Sequence, residues 1–140
     1  MSRRAERLRS HSAAETERIG ATIAAELGPG DVVLVSGELG SGKTTLIRGA
    51  CRALGVEGPV SSPTFTIGSR YRGRVPVSHL DLYRLDDLAG EDPGLLDDYL
   101  TPDVVSFIEW PQGTDAGWGT AALRIRIEHA GGDLREIEVE

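Results

Sequence analysis

The segment Gly37-Glu38-Leu39-Gly40-Ser41-Gly42-Lys43-Thr44-Thr45 carries residue types that bind a phosphate chain, at the spacing Gly-x4-Gly-Lys-Thr. Glycines let the backbone take conformations closed to other residues, so several N–H groups can converge on one phosphate. A helix that starts after such a loop adds its positive end. The Lys43 ammonium can reach the β- and γ-phosphates, the Thr44 hydroxyl is a hard oxygen for Mg²⁺, and Thr45 can donate to a phosphate oxygen. Lys43 is the only lysine, against 14 arginines. Lysine stands only where this chemistry asks for it.

A phosphate loop also needs an acid on a neighbouring strand, to hold Mg²⁺ or to orient water. Two strand-like runs end in one: residues 75–80 lead into Asp81, and residues 104–108 lead into Glu109. The residues alone leave open which acid takes which role. Guanine selection commonly uses an Asn-Lys-x-Asp segment. With the one lysine already in the loop, that segment is excluded and ATP is favoured.

The loop must sit between a strand and a helix. Asp31-Val32-Val33-Leu34-Val35-Ser36 reads as a strand buried on both faces. Residues 44–54 then place Leu46, Ile47, Ala50 and Leu54 on one helical face. An earlier helix over 13–27 carries the stripe Ile19, Ile23, Leu27, with Ser12 as N-cap and Glu15 completing a capping box. Residues 65–72 and 75–83 form a strand pair around Gly73, a short helix follows near 95–100, and 104–110 is another buried strand. Residues 123–128 and 134–139 alternate around Gly131-Gly132 as a terminal hairpin. The expected fold is α/β: a single P-loop NTPase-like domain over 1–140, with a mixed, mostly parallel sheet, flanking helices and a C-terminal antiparallel hairpin.

Composition agrees with one globular domain: 140 residues, 39% hydrophobic and 26% charged. Cys51 is the single cysteine, which excludes an internal disulfide and any multi-cysteine metal site, and it reads as inert packing. No apolar run suits a membrane span or a signal peptide, so the chain is expected in the cytoplasm, away from membranes. Residues 1–9 hold four arginines against Glu6, a net of +3, which leaves the rest of the chain at −10 out of a total of −7. So acidic a body is a poor nucleic-acid binder. Residues 1–11 are expected to be a flexible basic segment.

Four segments together resemble one family. They are Gly37-Glu38-Leu39-Gly40-Ser41-Gly42-Lys43-Thr44-Thr45-Leu46, Ser61-Ser62-Pro63-Thr64-Phe65-Thr66, His79-Leu80-Asp81-Leu82-Tyr83-Arg84-Leu85 and Ile108-Glu109-Trp110-Pro111. In this order and in so short a chain they are similar to TsaE, the small bacterial ATPases of the tRNA threonylcarbamoyladenosine pathway. The resemblance implies a P-loop fold that binds ATP and Mg²⁺ and hydrolyses ATP. It also implies TsaD and TsaB as partners. Those two place the threonylcarbamoyl group on adenosine 37 of ANN-decoding tRNAs, so contact with tRNA would be indirect.

Carried over by position, Leu39, Gly40, Ser41, Gly42, Lys43 and Thr44 match the phosphate-binding segment, and Thr45 extends it. Thr44 and Glu109 match the magnesium positions. Asp81, with Glu109 and Lys43, matches the catalytic set. Residues 62–66 match a mobile, switch-like segment, and Trp110 matches a tryptophan beside the nucleotide. The start of the first helix and the last hairpin, near Ala13 and Leu134, line the family's pocket. Outside the resemblance, His79 reads as a satisfied structural histidine, and Trp110 suits core packing as well as base stacking. Two other functions fit the same loop: a small-molecule kinase with Asp81 as base, and a nucleotide-switched binding protein in which hydrolysis matters little.

Overall fold

A computed structural model describes residues 6–38, 40–61, 68–81, 99–110 and 122–140. In chain order these form β1 (Glu6–Ser10), α1 (Ala13–Ala24), β2 (Val32–Gly37), α2 (Lys43–Ala53), β3 (Gly68–Arg72), β4 (Pro76–Asp81), β5 (Val105–Trp110), β6 (Leu123–His129) and β7 (Arg135–Val139). The expected segment 62–66, residues 95–98 of the helix expected near 95–100, and Leu39 lie outside the described residues.

One seven-stranded sheet runs β1-β7-β6-β2-β5-β4-β3. Its centre is parallel, through the pairs β6–β2, β2–β5 and β5–β4. Its flanks are antiparallel, through β1–β7, β7–β6 and β4–β3. The α/β class, the mixed sheet and the C-terminal hairpin are therefore as expected. The parallel pairings are half of the six rather than the majority, because hairpin partners flank the parallel core on both sides.

β2 lies at the heart of the core. Val33, Leu34 and Val35 are all buried, which is why its run is apolar without alternation. Val33 and Val35 share a cluster with Leu46, Ile47 and Ala50 of α2, Phe107 of β5, and Ile125 and Ile127 of β6. Each fully buried Val, Leu, Ile or Phe among them contributes roughly 1.5–3 kcal/mol. The two helices pack on each other closely enough that only glycine fits at the crossing. A Cβ on Gly49 would stand 2.0 Å from the Glu17 carbonyl oxygen, and one on Gly20 would stand 2.1 Å from that of Leu46. At the start of α1, Ser12 Oγ accepts from the Glu15 N–H at 3.0 Å. The return bond of the expected capping box lands one residue earlier, from the His11 N–H to the Glu15 carboxylate at 3.1 Å.

The expectation of a flexible segment over 1–11 is corrected for residues 6–10. Glu6–Ser10 is a strand paired with β7 from Glu6↔Val139 to Ser10↔Arg135. Leu8 packs against the core, and Ser10 Oγ meets Thr16 Oγ1 of α1 at 2.6 Å. Arg7 and Arg9 stand opposite Glu138 and Glu136 at 3.8 and 3.7 Å. These pairs are exposed and contribute at most about 1 kcal/mol each. The ladder and the buried face of Leu8 and Ser10 order the strand, and the ion pairs neutralise it. Residues 1–5 lie outside the described part. Among the described residues no helix is long and apolar enough to cross a membrane.

Candidate functional site

The parallel strands β2, β4 and β5 deliver their C-terminal ends, Gly37, Asp81 and Trp110, to the same edge of the sheet, where α2 begins. Ligands of open α/β sheets bind at that edge. The turn from β2 into α2 is tight: the Ser41 N–H donates to the Glu38 carbonyl at 3.0 Å. Gly42 caps α2 at φ +108°, a left-handed conformation that side chains rarely adopt. The first turn of α2 thereby presents its N–H groups and positive dipole end toward the loop.

Lys43 opens the helix and is buried. Its Nζ donates to the carbonyls of Gly37 at 3.0 Å and Glu38 at 2.7 Å. Burial pulls its ammonium below the ordinary lysine value, while the carboxylates of Glu109 and Asp81 push it back up. Both acids therefore lie within electrostatic reach of the lysine. They stand opposite each other in register on β4 and β5.

Thr44 follows on α2, and its Oγ1 donates to Glu109 Oε1 at 3.3 Å. Glu109 is buried on β5, and its Oε2 lies 2.8 Å from Nε2 of His79, itself fully buried on β4. Ser41 Oγ is buried without a hydrogen-bond partner among the described residues, a polar atom beneath the loop. Thr45, half-buried, completes the first turn.

This donor set fits a magnesium–phosphate group. Mg²⁺ keeps several waters and takes one or two protein oxygens beside phosphate oxygens. The Thr44 hydroxyl and the Glu109 carboxylate are adjacent hard oxygens of that kind. Among the described residues no cluster of three or more His, Cys, Asp or Glu could cage a metal by itself.

Of the residues singled out from sequence, Gly40, Ser41, Gly42, Lys43, Thr44, Thr45, Asp81 and Glu109 are gathered at one sheet edge. Trp110 ends β5 opposite Ser36, and its side chain lies outside the description. Leu134 lies in the turn before β7, where its carbonyl accepts from Arg135 Nη1 at 3.1 Å. The same guanidinium donates through Nε to the Ser41 carbonyl at 2.9 Å, so the hairpin borders the loop. Ala13 opens α1, exposed, three residues after Ser10, the register partner of Arg135. Arg135 itself was not foreseen, because nothing local marks a hairpin arginine as a loop contact. In sequence His79 reads as structural, and its spacing from Asp81 puts both on one strand face.

Comparison with known proteins gives a consistent result. A family model described as threonylcarbamoyl adenosine biosynthesis protein TsaE matches residues 10–137. The tRNA threonylcarbamoyladenosine biosynthesis protein TsaE of Bacillus subtilis is 42% identical over 124 residues, 88% of this chain and 77% of the relative. The protein of the same name from Streptomyces coelicolor is 42% identical over 121 residues, 84% of this chain and 82% of the relative. A crystal structure of Bacillus subtilis YdiB superposes with a TM-score of 0.76 at 33% identity, covering 97% of this chain and 84% of that one.

Proposed function

The chain belongs to the TsaE family and has its role in forming threonylcarbamoyladenosine on tRNA, and on that premise we propose that it is the Mg²⁺-dependent ATPase subunit of the modifying complex. The observation that carries this reading is the convergence of Lys43, Thr44 and Glu109 where β2 and β5 end at the start of α2.

Each residue then has a task. The loop N–H groups and the N-terminus of α2 bind the phosphate chain. Lys43 exchanges its two carbonyl acceptors for phosphate oxygens, a short swing from Gly37 and Glu38. Thr44 and Glu109 would hold Mg²⁺, which would supply positive charge against the phosphate chain where negative charge develops on transfer. Asp81, across the register from Glu109, is the acid left to orient the attacking water.

TsaD and TsaB are the partners, and tRNA is met through them. What supports indirect contact is charge. The chain carries a net −7, and the described arginines of its basic start, Arg7 and Arg9, face glutamates. A role in tRNA modification supports a cytoplasmic location.

The test is phosphate release from Mg²⁺-ATP by the chain alone, then with TsaD and TsaB. Slow release alone and faster release with the partners is the expected outcome. Binding to the partners that needs nucleotide but not hydrolysis would replace the ATPase reading with a nucleotide switch.

A further inference from the structure

Glu109 is held from two sides. Its Oε1 accepts from Thr44 Oγ1 at 3.3 Å, and its Oε2 lies 2.8 Å from His79 Nε2. His79 is wholly buried, and Glu109 nearly so. β4 and β5 are parallel with His79 opposite Phe107, so Glu109 sits two residues beyond that partner on the same face. The imidazole reaches forward along the strand pair to meet it. Behind the imidazole, the Tyr71 hydroxyl on β3 lies 3.5 Å from Nδ1 and 3.2 Å from the Ser61 carbonyl; its one proton serves these two acceptors, which leaves the imidazole proton on Nε2 for Glu109. A continuous polar chain therefore runs from Thr44 through Glu109, His79 and Tyr71 to Ser61.

A glutamate at a strand end can turn its carboxylate about the last side-chain bond. A donor fixed on one oxygen removes that freedom and aims the other. The outer partners of metal-holding carboxylates act this way, and their loss typically costs about 10–100-fold in metal affinity.

We propose that His79 is a positioning residue: through Nε2 it fixes Oε2 of Glu109 and so aims Oε1 at the Thr44 hydroxyl and the metal held there. This rests on the reading that Glu109 faces Mg²⁺-nucleotide.

The experiment compares His79→Gln with His79→Asn. Glutamine places an amide N–H close to where Nε2 stands, whereas the shorter asparagine reaches only the Nδ1 position. Thermal unfolding is recorded for both. ADP affinity without metal, and the Mg²⁺ concentration needed to raise ATP affinity, are measured by calorimetry well below the unfolding temperature.

For His79→Asn the expected result is a rise of about tenfold or more in the Mg²⁺ requirement, with metal-free ADP affinity unchanged within about twofold. His79→Gln should recover most of the difference. A lowered unfolding temperature with an unaltered Mg²⁺ requirement in His79→Asn would overturn the proposal, because a purely structural histidine behaves in that way. Equal loss in both variants would overturn it too. If His79→Asn does not fold, Tyr71→Phe decides. There His79→Gln is expected near the wild type, so Tyr71→Phe, which loosens only the back of the imidazole, carries the test: a raised Mg²⁺ requirement supports the proposal and a wild-type one overturns it. A wild-type protein whose ATP affinity ignores Mg²⁺ removes the underlying ATPase reading, and this proposal with it.

Discussion

Arg135 and Ser41 are 94 residues apart in the chain and directly joined: the arginine Nε donates to the serine carbonyl at 2.9 Å. The same guanidinium reaches back through Nη1 to the carbonyls of Gly132 at 2.9 Å and Leu134 at 3.1 Å. One side chain therefore pins the terminal hairpin to the loop between β2 and α2. A loop whose N–H groups must converge on a phosphate gains from such a strap, because less ordering entropy is lost on binding.

Replacing Arg135 by Ala should therefore weaken ADP binding while leaving the fold in place. A hydrogen bond from a charged donor contributes about 1.5–3 kcal/mol, and partial exposure puts this one at the low end. Because the bond is already made in the free protein, the affinity loss is at most roughly tenfold, reached when the loop must reorder on binding. Calorimetry with ADP checks it, beside a thermal melt that should fall by only a few degrees. An undiminished affinity would mean that the loop holds its shape without the hairpin.

Lys43→Ala removes the cation that bridges the Gly37 and Glu38 carbonyls and that is expected on the β- and γ-phosphates. ATP affinity should fall about tenfold or more. Nucleotide titration reads this directly, and an unchanged constant would rule out the phosphate-loop assignment.

Thr44→Ala and Glu109→Gln separate metal from nucleotide. Their oxygens meet at 3.3 Å, so each variant removes one hard oxygen from the same place. Mg²⁺-dependent hydrolysis should suffer more than metal-free ADP binding in both. If Glu109→Gln keeps its metal dependence, Asp81, its register partner on β4, takes the magnesium role and the two acids exchange tasks.

The placement of the candidate site was largely legible because its central part is local. The strand, loop and helix over 32–54 follow one another, and period and glycine spacing suffice to read them. Asp81 and Glu109 were legible as strand ends. Which strands adjoin was not, since β4–β5 pairing is a tertiary fact. The His79–Glu109 contact depended on it. β1 was missed for the same reason. Glu6–Ser10 offers only Leu8 as an apolar residue and becomes a strand by pairing with β7 at the other end of the chain. The Arg135 strap likewise joins distant segments with no local signature.

Cys51 gives a prediction in pH. It lies on α2, fully buried in the core, and desolvation pushes its thiol from 9.0 up to about 12. A thiol reagent at pH 8 should leave the native protein unmodified and label it on unfolding. The folded value lies above the unfolded one, so the unfolded chain loses this proton first. Stability from this group is full below about pH 9 and declines as pH rises toward 12. Urea unfolding at pH 8 and 10.5, compared between wild type and Cys51→Ala, isolates the effect. The wild type should lose more stability over that interval than the variant.

Transfer RNA should not bind the isolated chain. Nucleic-acid affinity comes mainly from cations placed on phosphates. The chain is −7 overall, and beyond residue 9 it carries −10. The described arginines of the basic start do not offset this, because Arg7 lies 3.8 Å from Glu138 and Arg9 lies 3.7 Å from Glu136. On the same exposed face, Arg126 is paired with Glu128 at 3.3 Å and Glu138 at 3.4 Å. Charges there alternate in sign instead of forming a stripe. At long range the acidic body repels RNA, and salt weakens that repulsion without reversing it. A gel shift of tRNA at about 0.15 M salt should show no complex with the chain alone and a complex once TsaD and TsaB are added. Glu136→Gln and Glu138→Gln together would release Arg7 and Arg9 from their partners. If that variant gains tRNA binding where the wild type has none, the glutamates are what hold the arginines from the RNA. Tight binding by the wild-type chain alone would place a real RNA contact on its arginine-rich start and remove the model in which the partner proteins hold the tRNA.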